Sequence, residues 1–354
     1  MSEKVKALLD GLVIKGTTPG ISYCHFSRDQ IISSIQCGYA NVNRKLPITA
    51  FHTLNVYSVT KTFTAIAILH LAEQRKLKLE ESAKKFLPSF PYGDKISIHQ
   101  LLAHTSGISN PIPLRWIHLS EEHLHFDRDK YFQQIFFQHP KLKSVPGKRF
   151  SYSNLNYILL GQIIEAVSGS KYEDFVQENI LRLIDPGGTE LGFSIDESRQ
   201  AKGYHKRVSI MNAMLGFLID KPKYMEKTEE GWVPFKFILV NGTAYGGLVG
   251  TIGGLAKYAQ ELLSDQCRFM SPESKRLMFT ENKTSAGEST GMCLSWFRGE
   301  LKGAEYFCHA GGGGGYYCEV RIYPSLGLGS VVMLNRSGMR DERLLSKIDR
   351  LILQ

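Results

Sequence analysis

Apolar positions along the chain change period several times, and each change marks an element. Residues 1–16 space their apolar side chains as an amphipathic, lysine-bearing helix. Two short strand-like runs follow, Ile21 to Phe26 and Ile31 to Cys37, on either side of Ser27-Arg28-Asp29, a hairpin pattern. From Val59 to Gln74 the period lengthens: Phe63, Ile66, Ala67, His70 and Leu71 recur at helical spacing, so Ser58 stands at the entrance of an amphipathic, mostly apolar helix. Three further helical stretches, Ile98 to His104, Leu155 to Val167 and Tyr172 to Ile184, run into Gly107, Gly169 and Pro186, the residue types expected just past a helix end. Strand character returns at Phe235 to Val240, Tyr306 to His309, Tyr316 to Tyr323 and Gly329 to Leu334, with turns at Gly311 to Gly315 and Pro324-Ser325. A last helix from Asp341 to Leu353, apolar at Leu344, Ile348, Leu351 and Ile352, is suited to cover one sheet face.

Strands, a helical block, strands and a closing helix predict an antiparallel sheet whose first and last segments pair while a helical lobe is inserted between them. With 354 residues, the chain is long enough for two lobes with their own cores. A composition of 43% hydrophobic and 22% charged residues is that of an ordinary globular protein. The net charge of +9 would point to nucleic acid only if it were clustered. Its densest runs, Arg75 to Lys78 and Lys84-Lys85, sit beside Glu80 and Glu81 on helix-like segments, so no nucleic-acid partner is expected.

Cys24, Cys37, Cys267, Cys293, Cys308 and Cys318 show no Cys-x-x-Cys spacing and read as buried, reduced thiols. The longest apolar stretch, Ala65 to Ala72, is interrupted by His70 and falls far short of the ~20 residues of a membrane span. The first residues lack the apolar run and small-residue cleavage site of a secretory signal, which gives a cytoplasmic expectation.

Ser58-Val59-Thr60-Lys61 puts a hydroxyl and an amine three residues apart at a helix start, where they share a face. The same spacing occurs at Ser82/Lys85 and Ser168/Lys171, in charged or Gly-flanked turns. What distinguishes Ser58 is that its helix would be buried: free N–H groups at the helix start favour a developing anion, and burial lowers an amine's pKa. A serine is a weak nucleophile until a group takes its proton, and a lysine at its free pKa of ~10.4 does not do so at neutral pH. Tyr152-Ser153-Asn154 supplies a phenol to share that proton with Lys61 and an amide to bind substrate or lysine. His309-Ala310-Gly311, followed by four more glycines, ends a strand where a substrate could lie close to backbone. Beside Ser58, the N–H groups of Gly312 and Ser58 would form an oxyanion hole.

Together these motifs resemble the serine β-lactamase and penicillin-binding protein superfamily, most closely the class C β-lactamases and their esterase and D-amino-peptidase relatives, whose Ser-x-x-Lys signature is well characterised. The phrases Leu101-Leu102-Ala103-His104-Thr105-Ser106-Gly107, Pro146-Gly147 through Tyr152-Ser153-Asn154 to Leu160-Gly161, and Gly246-Gly247-Leu248 to Leu263 extend the resemblance over residues 20 to 340. The resemblance implies an α/β fold, β-lactamase/transpeptidase-like: an antiparallel sheet flanked by helices (1–75 and 245–354) with an inserted, mainly helical domain (76–244). It also implies a covalent acyl-enzyme on Ser58, Lys61 and Tyr152 as the proton-handling pair, and Asn154, His309, Gly311 and Gly312 around the substrate. No cofactor and no metal are implied; the partner is a small-molecule or short-peptide substrate. One departure matters: where β-lactamases carry Lys-Thr-Gly to hold a substrate carboxylate, this chain has His-Ala-Gly. That shifts the expectation from β-lactams to ester or amide substrates, leaving a D-Ala-type carboxypeptidase or β-lactamase as the alternative. His309 could still gain charge below its free pKa of ~6.5 and recognise a carboxylate at low pH.

Three rival readings remain. Gly287-Glu288-Ser289-Thr290-Gly291 fits a nucleophile elbow, but Glu281 to Ala286 is polar where a strand is needed, and Cys293 to Phe297 reads as a strand where a helix is needed. His118, His123, His125 and His139 lack the His-x-x-x-His spacing of a helical metal site. A penicillin-binding-like fold kept as a non-catalytic binding module is the third. The cleft wall falls to 110–139 and 204–245, where Trp116, Phe217, Trp232 and Phe235 suit an apolar acyl or peptide group. The sequence is silent on oligomeric state.

Overall fold

The computed structural model describes residues 2–209, 215–216, 218–338 and 344–353. Its frame is a seven-stranded sheet, built from β1 (Gly20–Ser27), β2 (Ile31–Asn41) and β3 (Leu46–Pro47) at one end of the chain. The other end supplies β4 (Phe297–Leu301), β5 (Ala304–Gly313), β6 (Tyr316–Tyr323) and β7 (Leu328–Leu334). The spatial order is β4-β5-β6-β7-β1-β2-β3, antiparallel throughout. First and last segments meet at the centre, where Tyr23 pairs with Val332 and Cys24 with Val331.

Alternation along these strands sorts the sheet's two faces. Ile21, Tyr23, Val332 and Leu334 face an outer layer made by helix α1 (Ser2–Ile14) through Val5 and Leu9 and by the last helix through Leu345 and Ile348. Cys24, Phe26, Val331 and Met333 face the main core instead, with Leu255, Ala259 and Leu262 of the helix Ile252–Leu263. The last helix runs Leu344–Asp349, with 350–352 forming a turn; residues 341–343 of the expected element lie outside the described residues. It is tied to the sheet by a buried cluster in which Arg321 contacts Glu319 at 2.8 Å and Ser346 at 3.0 Å.

Helix α2 (Thr60–Glu73) is buried along nearly its whole circumference rather than amphipathic, since Thr60 to Leu69 and Leu71 are all buried. It packs among helices α3 (Ile98–Leu102), α4 (Arg128–Gln138), α5 (Asn154–Ser168) and α6 (Tyr172–Val176) in the same core. Two strand expectations shift. Only Ile238–Val240 of the 235–240 run is a strand, pairing with Ile117–Leu119, while Trp232–Pro234 pairs with Tyr204–Lys206. Cys293 to Trp296 is not a strand: Ser295 adopts φ +67° and the Cys293 N–H bonds back to the Trp296 carbonyl at 2.7 Å, a turn that delivers the chain to β4. All six cysteines are free thiols, with Cys267 and Cys308 partly exposed. No helix among the described residues is long and apolar enough to cross a membrane.

Candidate active site

Ser58 is presented by a sharp change of direction. The short strand Leu54–Asn55 pairs with Val249–Gly250, Tyr57 then takes φ +47°, and the chain enters a 3-10 turn (Tyr57–Val59) that leads into α2. A left-handed backbone is uncommon for a bulky residue and persists where surroundings over-determine it. Here the surroundings are the glycines after His309: a β-carbon on Gly313 would stand 3.1 Å from the Tyr57 ring, and one on Gly314 would collide with its hydroxyl. Ser58 itself stays half-buried at the wall of the cavity.

Lys61, one turn on, is fully buried, with Nζ 3.0 Å from Ser58 Oγ and donating to the Tyr245 carbonyl at 2.7 Å. Three phenol rings enclose it: Tyr152, Tyr245 and Tyr157, with centroids at 5.1, 5.3 and 5.6 Å. No carboxylate among the described residues balances the amine, and burial holds its pKa well below the usual lysine range. Depressing the amine's pKa raises the share of its neutral form, and beside a serine hydroxyl that form can act as a base.

Tyr152 and Asn154 both line the cavity. Asn154 is buried, its N–H bonded to Asn110 Oδ1 at 3.0 Å, and its own Oδ1 has no partner among the described residues. His309 faces the same space from β5, its ring 6.4 Å from that of Tyr152 and 5.7 Å from that of Phe297. Its Nδ1–H donates to the Ser295 carbonyl at 2.5 Å, so Nε2 carries the lone pair. Burial pushes its pKa down to about 3. The charge a free histidine would gain below ~6.5 is thereby displaced to strongly acidic pH.

Gly311 lies against the backbone of 56–58. The β4 ladder stops at Phe297↔Cys308, while β5 continues to pair with β6 as far as Gly313↔Tyr316. In an antiparallel strand successive N–H groups point to opposite sides. The N–H groups of Ala310 and Gly312, on the Cys308 side, therefore run past the end of β4, and Gly312 is exposed.

These residues border a cavity of about 980 Å³ whose wall includes Leu114, Ile117, Ile219, Phe235, Val240 and Phe297. Of the aromatic residues expected there, Phe235 is the one that reaches it among the described residues. Trp116 packs behind on Phe132 and Tyr245, Trp232 packs on Tyr204, and Phe217 lies outside the described residues.

The competing motifs fall elsewhere. Ser82 is a helix cap that accepts from the Lys84 N–H, and Ser168 bonds within a turn to Ser170. Ser289 sits exposed on a loop with its hydroxyl donated to Glu281. His118 and His123 bond to each other at 2.9 Å, and no three His, Cys, Asp or Glu among the described residues are grouped to hold a metal ion. The sequence gives no hint of the Tyr245 carbonyl, because a backbone acceptor leaves no residue signature. His104 was within reach, inside the Leu101 to Gly107 phrase.

Comparison with known proteins places the family and the fold. A family model described as Beta-lactamase matches residues 5–354. Penicillin-binding protein 4* of Bacillus subtilis is 27% identical over 292 residues, which cover 79% of this chain and 60% of that protein. The chain thus spans less than two thirds of that relative's length. The solved structure of the octameric penicillin-binding protein homologue from Pyrococcus abyssi aligns with a TM-score of 0.77 at 26% identity, over 99% of this chain and 77% of that one. D-amino acid amidase from Ochrobactrum anthropi SV3, complexed with L-phenylalanine amide, aligns at 0.79 over 99% and 98%, with 20% identity, a likeness of fold.

Proposed function

The chain belongs to the Beta-lactamase family, and on that premise we propose that it is a serine hydrolase acting through an acyl-enzyme on Ser58, most suited to ester or amide substrates. The observation that carries this reading is Lys61: an amine sealed in a cage of tyrosines with no counter-ion among the described residues, 3.0 Å from the Ser58 hydroxyl. Burying an unpaired amine costs stability, and a purely structural role gives no reason to accept that cost.

In the proposed reaction the Lys61/Tyr152 pair takes the Ser58 proton as Oγ attacks the substrate carbonyl carbon. The N–H groups of Ser58 and Gly312 bind the developing oxyanion, each such donor contributing about 3–4 kcal/mol to the barrier reduction. The C–O or C–N bond then breaks, the leaving alcohol or amine takes up the proton from the pair, and water releases the acid in a second step by the same route. Which member of the pair holds the proton at each moment is a property of the pair.

Substrate choice follows from the cavity. Neutral His309 offers no fixed cation for a carboxylate, and the wall is mainly apolar, which together favour an uncharged, apolar acyl group. The name of the Bacillus relative keeps a penicillin-interacting alternative, a D-Ala-type carboxypeptidase or β-lactamase, in view. A panel of p-nitrophenyl esters, amino-acid anilides and a penicillin, run against wild type and Ser58→Ala, tests the reading. Ester or anilide turnover lost in the variant supports it; turnover equal in both proteins rules it out.

A further inference from the structure

Tyr152 lies in an irregular stretch just before α5, where neither a helix nor a strand ladder fixes the backbone. His104 fixes it instead. Its carbonyl accepts from the Ser151 N–H at 2.8 Å, and its Nδ1 accepts from the Ser153 N–H at 3.1 Å, so both amides flanking Tyr152 end on one residue. The imidazole, fully buried, lies against the Tyr152 ring with centroids 4.3 Å apart and planes 31° off parallel. Asn156 Nδ2 gives Nδ1 a second donor at 3.2 Å, and Asn156 is itself held by the Ser106 hydroxyl at 2.8 Å. With two donors on Nδ1, the ring hydrogen belongs on Nε2, which has no partner among the described residues.

His104 also adopts φ +54°, a left-handed conformation that asparagine tolerates better than most side chains. A strained backbone and an orphaned buried N–H are unfavourable features for a residue whose only task is to fill space. His104 is not among the residues lining the cavity, so it acts on the chemistry through the residues it touches, Tyr152 first among them.

We propose that His104 is a positioning residue that clamps the backbone on both sides of Tyr152 and braces its ring, keeping the phenol in reach of Lys61 and Ser58. The inference rests on the reading of Tyr152 as half of the proton-handling pair.

Two variants separate the contacts. His104→Phe keeps a ring but leaves the Ser153 N–H without its acceptor; His104→Asn keeps an acceptor near the Nδ1 position and suits the left-handed backbone. After circular dichroism and thermal unfolding establish that each is folded, ester acylation rates, KM, the pH–rate profile and NMR of tyrosine-labelled protein are compared. The Tyr152 ring signal is assigned by its loss in Tyr152→Phe. Folded His104→Phe is expected to acylate about 10- to 100-fold more slowly, with KM within about two-fold, a displaced limb in its pH–rate profile and a shifted or split Tyr152 signal. His104→Asn is expected to lose only about two- to five-fold, with a shifted Tyr152 signal. Wild-type acylation and an unmoved Tyr152 signal in folded His104→Phe overturn the proposal. If the Phe variant does not fold, an unmoved Tyr152 signal in His104→Asn overturns it. A wild-type protein inert to every ester and anilide refutes the hydrolase reading alone, and the Tyr152 signal in the variants then decides the positioning claim by the same criterion.

Discussion

Gly311 lies so close beneath Ser58 that a β-carbon on it would stand 2.5 Å from the Ser58 amide nitrogen. Strand β5 and the nucleophile turn are therefore in backbone contact. Gly311→Ala is expected to force them apart, destabilising the fold by more than about 2 kcal/mol and cutting acylation at least ~100-fold. Gly312→Ala places its β-carbon at an ordinary 3.6 Å from Tyr317 and leaves the N–H in place, so stability within about 0.5 kcal/mol of wild type and acylation within about three-fold are expected. Urea unfolding and single-turnover acylation of the two variants check the contrast.

Lys61 sets activity against stability. Burial lowers its pKa below the ~10.4 of an exposed lysine. Between those two values the unfolded chain binds a proton that the native chain does not, so this group's contribution makes stability rise with pH across that window. At neutral pH it therefore destabilises the native state. Lys61→Met is expected to raise Tm by about 2–5 °C at pH 7, with a gap that narrows as pH approaches ~10.4, and to lower turnover ~1,000-fold. Calorimetry at several pH values, with ester turnover alongside, measures both effects.

His309 has the same sign in a more acidic window. Its folded pKa is about 3 against an unfolded value of ~6.5. Above ~6.5 neither state binds the extra proton; on acidification the unfolded chain takes it first, so stability is lost between pH ~6.5 and ~3, by up to ~1.4 kcal/mol per pH unit. The difference in unfolding free energy between wild type and His309→Gln is expected to follow that slope. A flat difference across the window would mean that His309 is charged or exposed in the native state.

The legible parts of this molecule are those encoded by short-range spacing. Ser58 and Lys61 meet because three residues make nearly a turn of helix, and the β1–β2 hairpin was readable from two strand-like runs around a turn. What stayed hidden depends on long-range contact or on a backbone group. Cys293 to Phe297 has strand-like residues, yet Ser295 turns left-handed there and its carbonyl receives the His309 ring N–H, a contact between distant parts of the chain. The five glycines from Gly311 read as a turn, although Gly311 and Gly313 belong to β5 and are glycine because Ser58 and Tyr57 lie against them. His104 looks like part of a helix end until the fold brings Ser151 and Ser153 onto it.

The central claim is that Ser58 is the nucleophile, and intact-protein mass spectrometry after incubation with a fluorophosphonate tests it most directly, with Ser58→Ala as control. The account predicts a single adduct on wild type, mapped by peptide digestion to Ser58, and none on folded Ser58→Ala. An unlabelled, well-folded wild type, or an equal adduct on the variant, would contradict it.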